Sequence, residues 1–64
     1  MEIGEQLGKL RMDKDLSLRQ LEEISGVGYA HIKRIEGGAN ASLDTITKIA
    51  SALGYKITLE KLKK

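Results

Sequence analysis

The side chains best suited to binding a charged partner lie in the middle of this chain. Within residues 24–43 the charged residues are Lys33, Arg34 and Glu36, together with the titratable His31. A guanidinium can donate two parallel hydrogen bonds to guanine O6 and N7, or to a phosphate, and an ammonium binds phosphate as a point charge. This cluster could therefore bind a polyanion. The alternative is a solvated helix face, which is the commoner role of surface lysines and arginines.

The sequence does not indicate catalytic or metal chemistry. It has no cysteine and a single histidine, without a second ligand at metal-binding spacing, and no Ser/His/Asp set, carboxylate pair or phosphate-binding loop. We therefore expect no enzyme activity, metal, cofactor or small-molecule substrate, and we interpret His31 as a solvent or phosphate contact. The N-terminal segment is charged throughout and the apolar runs are short, so we expect a cytoplasmic protein without a membrane partner.

The elements that position these residues must fit into one small domain, residues 1–64. The net charge is only +2, and phenylalanine, tryptophan and cysteine are absent. A chain of this length buries only about 60% of the surface that its unfolded form exposes. The core must therefore be aliphatic and of modest stability.

Apolar residues at helical spacing predict a first helix over Glu2–Asp13, with Ile3, Leu7 and Leu10 on one face. Gly4 and Gly8 lie four residues apart and therefore on one side of this helix. Glycine is unfavourable within a helix by up to about 1 kcal/mol relative to alanine. Two interpretations stay open, namely close packing against a neighbouring element and a weak helix start.

Capping residues predict the bounds of three further helices. Ser17 begins an S-x-x-Q capping box for a helix over Leu18–Ser25, which Gly26 ends. A helix over Tyr29–Glu36 follows, and Ser42 caps a fourth helix over residues 43–53. The fold class is therefore all-α. The residues predicted to face the core from these three helices are Leu21, Ile24, Ile32, Ile35, Leu43, Ile46, Ile49, Ala50 and Leu53.

Residues 55–60 change to a period of two, with Tyr55, Ile57 and Leu59 on one face, which predicts a short C-terminal β-strand. The chain offers no second strand to pair with it, and exposed strand edges are generally avoided. We therefore expect antiparallel pairing with the same strand of a second copy, in a homodimer whose interface includes these three residues. The alternative is a tail that folds back on its own domain.

Residues 17–38 form a tight helix-turn-helix unit with the pattern L-S-x-x-x-L-x-x-x-S-G-V-x-x-x-x-I-x-x-I-E-x-G. Together with IGEQLGKLR in the first helix and SLDTITKIASALG in the fourth, this pattern closely resembles the Xre family, the lambdoid repressor and Cro group. The resemblance implies a compact four-helix, lambda-repressor-like domain. It also implies a repressor-type transcriptional regulator that binds double-stranded DNA sequence-specifically, as a homodimer on a palindromic operator.

The resemblance further implies that the third helix lies in the major groove with its N-terminal residues against base edges. Arg34 would then read guanine, and Lys33 would contact phosphate. Ser17, Arg19 and Asn40 would face the phosphate backbone. The residues mapped onto the major groove are Gly28, Tyr29, Ala30, Lys33 and Arg34, with His31 at the margin.

Two other features follow from the same resemblance. Arg11 and Glu36 match positions that form a partly buried ion pair in related proteins. The family often has glutamine where this chain has Leu18, a small residue in place of Glu22, and Ser or Thr in place of Gly28. We hypothesise that the Glu22 carboxylate caps the amides of the third helix.

A second function stays open at this point. The same scaffold could serve as a protein-interaction module, such as the antitoxin of a toxin–antitoxin pair whose main contact is a toxin protein. The predicted C-terminal strand is similar to that of the Hip-type antitoxins. Glu22 and Glu23, which lie beside the DNA-facing surface, also favour this alternative.

Overall fold

A computed structural model of the protein describes residues 2–57 and contains four helices. They are α1 (Glu2–Asp13), α2 (Leu18–Ser25), α3 (Tyr29–Glu36) and α4 (Leu43–Ala52). The first three have the predicted bounds, and α4 ends one residue earlier than predicted. Helix α3 packs against α1 and α2, and α4 packs against α2 and α1.

The predicted capping residues start two of these helices. Ser17 accepts a hydrogen bond from the Gln20 backbone N–H at 3.0 Å, while the Gln20 side chain accepts one from the Ser17 N–H at 2.7 Å. This reciprocal pair is the capping box that begins α2. Ser42 accepts from the Thr45 N–H at 3.2 Å and caps α4 in the same way.

The ends of α1, α3 and α4 share one turn, in which a residue with positive φ follows the helix. In α3 this residue is Gly38, with φ 108°; its N–H donates to Ile35, and that of Ala39 donates to Arg34. These paired bonds form a Schellman motif, which satisfies the last carbonyls of the helix. In α1 the same place is taken by Asp15, with φ 56°, a conformation that most side chains avoid.

The core of the described residues is aliphatic, as the composition requires. Its largest fully buried side chains come from α2, α3, the end of α4 and the residue after it: Leu21, Ile32, Ile35, Ile49 and Leu53. Ile3, Leu10 and Leu16 pack against this cluster from its edge. No polar or charged residue within 2–57 is buried.

Two residues predicted to face the core do not. Ile24 is 56% exposed and Leu43 is 69% exposed. Each lies at an end of its helix, Ile24 in the last turn of α2 and Leu43 at the first position of α4. Helical spacing gives the phase of a side chain but not whether a neighbouring element covers it. Both predictions are therefore wrong.

The glycines of α1 pack against the end of α3. A Cβ on Gly4 would collide with the carbonyl oxygen of Ile35 and would lie 2.9 Å from the carbonyl carbon. A Cβ on Gly8 would lie 3.1 Å from the Glu36 Cγ atom. Of the two interpretations of these glycines, the structure favours close packing, because their lack of a side chain lets the two helices approach.

The β-strand predicted for residues 55–60 has no support. Residues 55–57 have no regular secondary structure, and residues 58–60, with Leu59, lie outside the described part of the chain. The Tyr55 N–H donates to the Ala50 carbonyl at 2.8 Å and closes the turn that ends α4. That hydrogen bond occupies the first amide of the predicted strand.

Candidate nucleic-acid interface

Helix α3 is divided between a buried and an exposed face. Ile32 and Ile35 are 0% and 1% exposed and fix the helix to the core. The opposite face is open to solvent along the whole helix, and His31 lies half-buried at its margin. The predicted groove-facing residues on this exposed face are Gly28, Tyr29, Ala30, Lys33 and Arg34. Because the buried residues set the rotation of α3, these side chains form one accessible surface.

The N-terminus of α2 lies next to this surface, but its capping box already uses some of its hydrogen-bonding groups. The hydroxyl of Ser17 accepts from Gln20, and the Ser17 N–H donates to Gln20. Two of the backbone amides expected to attract phosphate are therefore occupied within the protein. Ser17 retains only its hydroxyl proton as a donor to an external acceptor.

Arg19 and Tyr29 are brought together by the crossing of α2 and α3. The guanidinium carbon of Arg19 lies 4.6 Å from the centroid of the Tyr29 ring. This is within the distance at which a cation is attracted to the face of an aromatic ring. The sequence predicts both residues at the interface but not their contact, because ten positions separate them and no local pattern signals it.

Glu22 does not cap α3 in the way we hypothesised. Within residues 2–57 its carboxylate forms no hydrogen bond with the first amides of α3, and Gly28, the N-cap, offers no side chain. A Glu22 carboxylate oxygen nevertheless lies 4.0 Å from the position that a Cβ on Gly28 would take. The negative charge is therefore near the positive end of the α3 dipole, where it is favourable without a hydrogen bond.

Asn40 lies in the loop between α3 and α4, where it is exposed. The loop leaves α3 through the Schellman turn and enters α4 at its Ser42 cap. These two anchors hold both ends of a four-residue connection, residues 39–42. The side chain of Asn40 is therefore available to a partner that contacts this end of α3.

Arg11 and Glu36 form a bidentate ion pair between α1 and the end of α3. Arg11 Nε donates to Glu36 Oε2 at 2.7 Å, and Arg11 Nη2 donates to Oε1 at 3.0 Å. Arg11 Nη1 also donates to the Leu16 carbonyl at 2.6 Å. The two side chains are 14% and 15% exposed. This pair ties α1, the turn after it and the C-terminus of α3 together.

The hydrogen bond with Glu36 raises the pKa of the Arg11 guanidinium, and partial burial opposes that rise. A raised folded-state pKa means that the pair contributes its full stabilisation below the ordinary pKa of arginine. The contribution is lost only as the pH rises beyond that value. The ion pair is therefore insensitive to arginine titration throughout the neutral range.

One concave feature lies away from the exposed face of α3. A shallow groove between α2 and α4 is lined by Ile24, Ser25, Thr47, Lys48, Ser51 and Ala52. Among residues 2–57 there is no group of three or more metal-ligating side chains. None of the four helices has both the length and the apolar character needed to cross a bilayer. Tyr55 is 51% exposed, and Ile57 packs half-buried at the edge of the core.

Comparison with known proteins agrees with this architecture. The profile of a helix-turn-helix family matches residues 7–62. The chain is also 46% identical, over 62 residues, to the HTH-type transcriptional repressor RghR of Bacillus subtilis (strain 168). The matched region covers 94% of this chain and 44% of RghR, so the chain spans less than half the length of that relative. The comparison with solved structures found no significant match. The chain belongs to the Xre-type helix-turn-helix family.

Proposed function

We propose that this chain is a DNA-binding transcriptional regulator of the repressor type, with α3 as its recognition helix. The observation that carries the proposal is the division of α3, in which Ile32 and Ile35 are buried and the face with Tyr29, Lys33 and Arg34 is exposed. A helix presented in this way can enter the major groove of B-DNA. The similarity to a transcriptional repressor further supports the proposal.

The chemistry of the exposed face suits the edges of bases and the phosphates beside them. Arg34 can donate two hydrogen bonds to guanine, and Ala30 leaves room for the helix to approach a thymine methyl group. Lys33 and His31 are suited to phosphate. At the two ends of the unit, Arg19 and Asn40 extend the contact along the backbone, and these contacts would set the register of α3 in the groove.

Arg34→Ala is expected to weaken binding to a preferred duplex by about 1–3 kcal/mol and to relax the preference at one base pair. The reason is that a bidentate arginine discriminates guanine from the other bases. The measurement is fluorescence anisotropy on a preferred duplex and on duplexes with single base-pair changes. Lys33→Ala, the matched control, should weaken binding to all of these duplexes equally. If Arg34→Ala also weakens all of them equally, Arg34 contacts phosphate and does not read sequence.

We propose further that two copies act together on a palindromic operator. An exposed Tyr55 and a half-buried Ile57 lie at the C-terminal edge of the described residues, where an apolar contact between copies would add to a small core. The pairing of residues 55–60 as strands is one way to form it, with Leu59 as the third interface residue. Sedimentation of the complex should give two chains per duplex. One chain per duplex would contradict the dimer.

The second candidate function is a protein-interaction module, of which a toxin-binding antitoxin is one example. The exposed Ile24 favours it, because a large aliphatic side chain lies beside a groove between α2 and α4. DNA binding through phosphates releases counterions, and this release becomes less favourable as the salt concentration rises. For several phosphate contacts the affinity should fall roughly tenfold or more between low and physiological salt. A duplex affinity that changes with neither the salt concentration nor the base sequence would favour this second candidate.

A further inference from the structure

We propose that Tyr29 is a positioning residue that holds Arg19 ready to bind a DNA phosphate, so that the two side chains act as one unit. The proposal rests on the DNA-binding function proposed above. It starts from the 4.6 Å separation between the guanidinium carbon of Arg19 and the Tyr29 ring centroid. Arg19 is exposed and Tyr29 is 40% exposed, so the contact lies at the surface and not in the core.

The stacked guanidinium keeps its hydrogen-bond donors. Among residues 2–57, the Arg19 side chain forms no hydrogen bond and no ion pair, and its guanidinium lies over the face of the Tyr29 ring. The N–H groups of a guanidinium lie in its plane, so stacking on a ring leaves them directed outward. A planar fork of donors matches two oxygens of a phosphate. The stacked arginine therefore presents a phosphate-binding edge.

At the start of α2, Arg19 is the residue suited to binding phosphate, because the side chains next to it are engaged within the protein. Ser17 and Gln20 are engaged in the capping box, and each satisfies a backbone N–H of the other residue. Leu18, at the first position of α2, has an apolar side chain that packs half-buried against the core. Arg19 is thus the cationic side chain in the first turn of α2, next to the exposed face of α3.

Holding Arg19 in place before DNA arrives lowers the cost of binding. A free arginine samples many rotamers, and a side chain ordered at an interface loses that freedom on association. A stack with Tyr29 restricts Arg19 in the unbound protein, so less entropy is lost in the complex. Tyr29 therefore raises the affinity for DNA by ordering Arg19. This effect requires no contact between the Tyr29 hydroxyl and DNA.

A double-mutant cycle tests this assignment. The full chain, Tyr29→Leu, Arg19→Ala and the double variant are titrated against a labelled pool of random-sequence duplexes, because phosphate binding does not depend on sequence. Tyr29→Leu is expected to weaken binding about two- to fivefold. Arg19→Ala should weaken binding more and reduce the salt slope by about one. The double variant should bind no more weakly than Arg19→Ala alone.

Tyr29→Phe is the matched variant that separates stacking from hydroxyl contact. It keeps the ring, so its loss of affinity should be smaller than that of Tyr29→Leu. In the free protein, the proton resonances at the end of the Arg19 side chain should be shifted upfield by the ring. Tyr29→Leu should abolish this shift, and Tyr29→Phe should preserve it. Because the contact lies at the surface, melting curves should show every variant folded at the temperature of the titration, with only the small loss of stability expected when an exposed cation–π contact is removed.

Four results would overturn the inference. Additive losses in the cycle would show that Tyr29 and Arg19 bind independently, and a large loss with Tyr29→Phe would show that the hydroxyl contacts DNA. If the unmodified chain binds duplexes in a salt-dependent way and Tyr29→Leu does not weaken that binding, this inference alone is rejected. A chain that binds no duplex at any salt concentration would instead reject the proposed function and this inference with it.

Discussion

Arg11→Ala is expected to lower the free energy of unfolding by about 3 kcal/mol, the lower end of the range for removing one partner of a buried ion pair. The substitution leaves the Glu36 carboxylate, which is 15% exposed, without its two guanidinium donors. It also removes the donor to the Leu16 carbonyl. Since domains of this size are only marginally stable, the loss is a large fraction of the total. Urea denaturation followed by circular dichroism measures it.

The matched control is Lys48→Ala, which breaks an ion pair on the surface of α4. Lys48 Nζ and Asp44 Oδ2 are 3.4 Å apart, and the two side chains are 58% and 80% exposed. An exposed pair four residues apart on a helix contributes only about 0.3–0.5 kcal/mol. If Arg11→Ala were no more destabilising than this control, the bidentate pair would not be a structural tie between α1 and α3.

Gly4→Ala is expected to destabilise the fold by about 2–3 kcal/mol, although alanine is the better helix former by up to about 1 kcal/mol. The added Cβ would collide with the Ile35 carbonyl oxygen and would lie 2.9 Å from its carbonyl carbon. The obstacle is backbone in the last turn of α3, so no side-chain rotation can relieve it. Helix α1 would have to move away from α3. The same denaturation experiment measures the loss.

Gly37→Ala provides the control for a glycine-to-alanine change in this packing region. Its φ is −83°, and a Cβ there would meet its nearest atoms at 3.5 Å, an ordinary van der Waals distance. This variant should be neutral or slightly more stable, because alanine restricts the unfolded chain. A Gly4→Ala protein as stable as the unmodified chain would contradict the close packing of α1 on α3.

The helices could be predicted well because their ends carry local chemical signals. Ser17 with Gln20, Gly26, and Ser42 each specify a cap through neighbours within a few residues. The period of the apolar residues then gives the inward face of each helix. The caps give the bounds of α2 and the start of α4, and the apolar period places α1 and α3. The end of α4 differs by one residue from the prediction, because Leu53 is the C-cap and already belongs to the turn that closes the helix.

What could not be predicted depends on how the helices pack against one another. Ile24 and Leu43 lie in the apolar phase of their helices, yet both are exposed, because helical phase does not show whether a neighbouring element covers a side chain. The contact of Arg19 with Tyr29 depends on the crossing of α2 and α3, which the spacing of residues along the sequence does not show. The Glu22 carboxylate approaches Gly28 as its position suggests, yet forms no hydrogen bond with the first amides of α3.

The C-terminal strand illustrates a different limit. Alternation of Tyr55, Ile57 and Leu59 is a sound strand signal, but a single strand acquires its structure from a partner. In the described part of the chain, Tyr55 is instead bonded to the end of α4. The alternation alone therefore does not establish a strand in residues 55–57.

Selection of binding sites from a pool of random duplexes tests the central claim most directly. If α3 is a recognition helix in a homodimer, the recovered sequences should converge on a palindrome. Its half-sites should be centred about 10–10.5 base pairs apart, the spacing at which two recognition helices meet successive major grooves on one face of the duplex. Recovery of sequences with no shared motif would contradict a sequence-specific DNA-binding function for this surface.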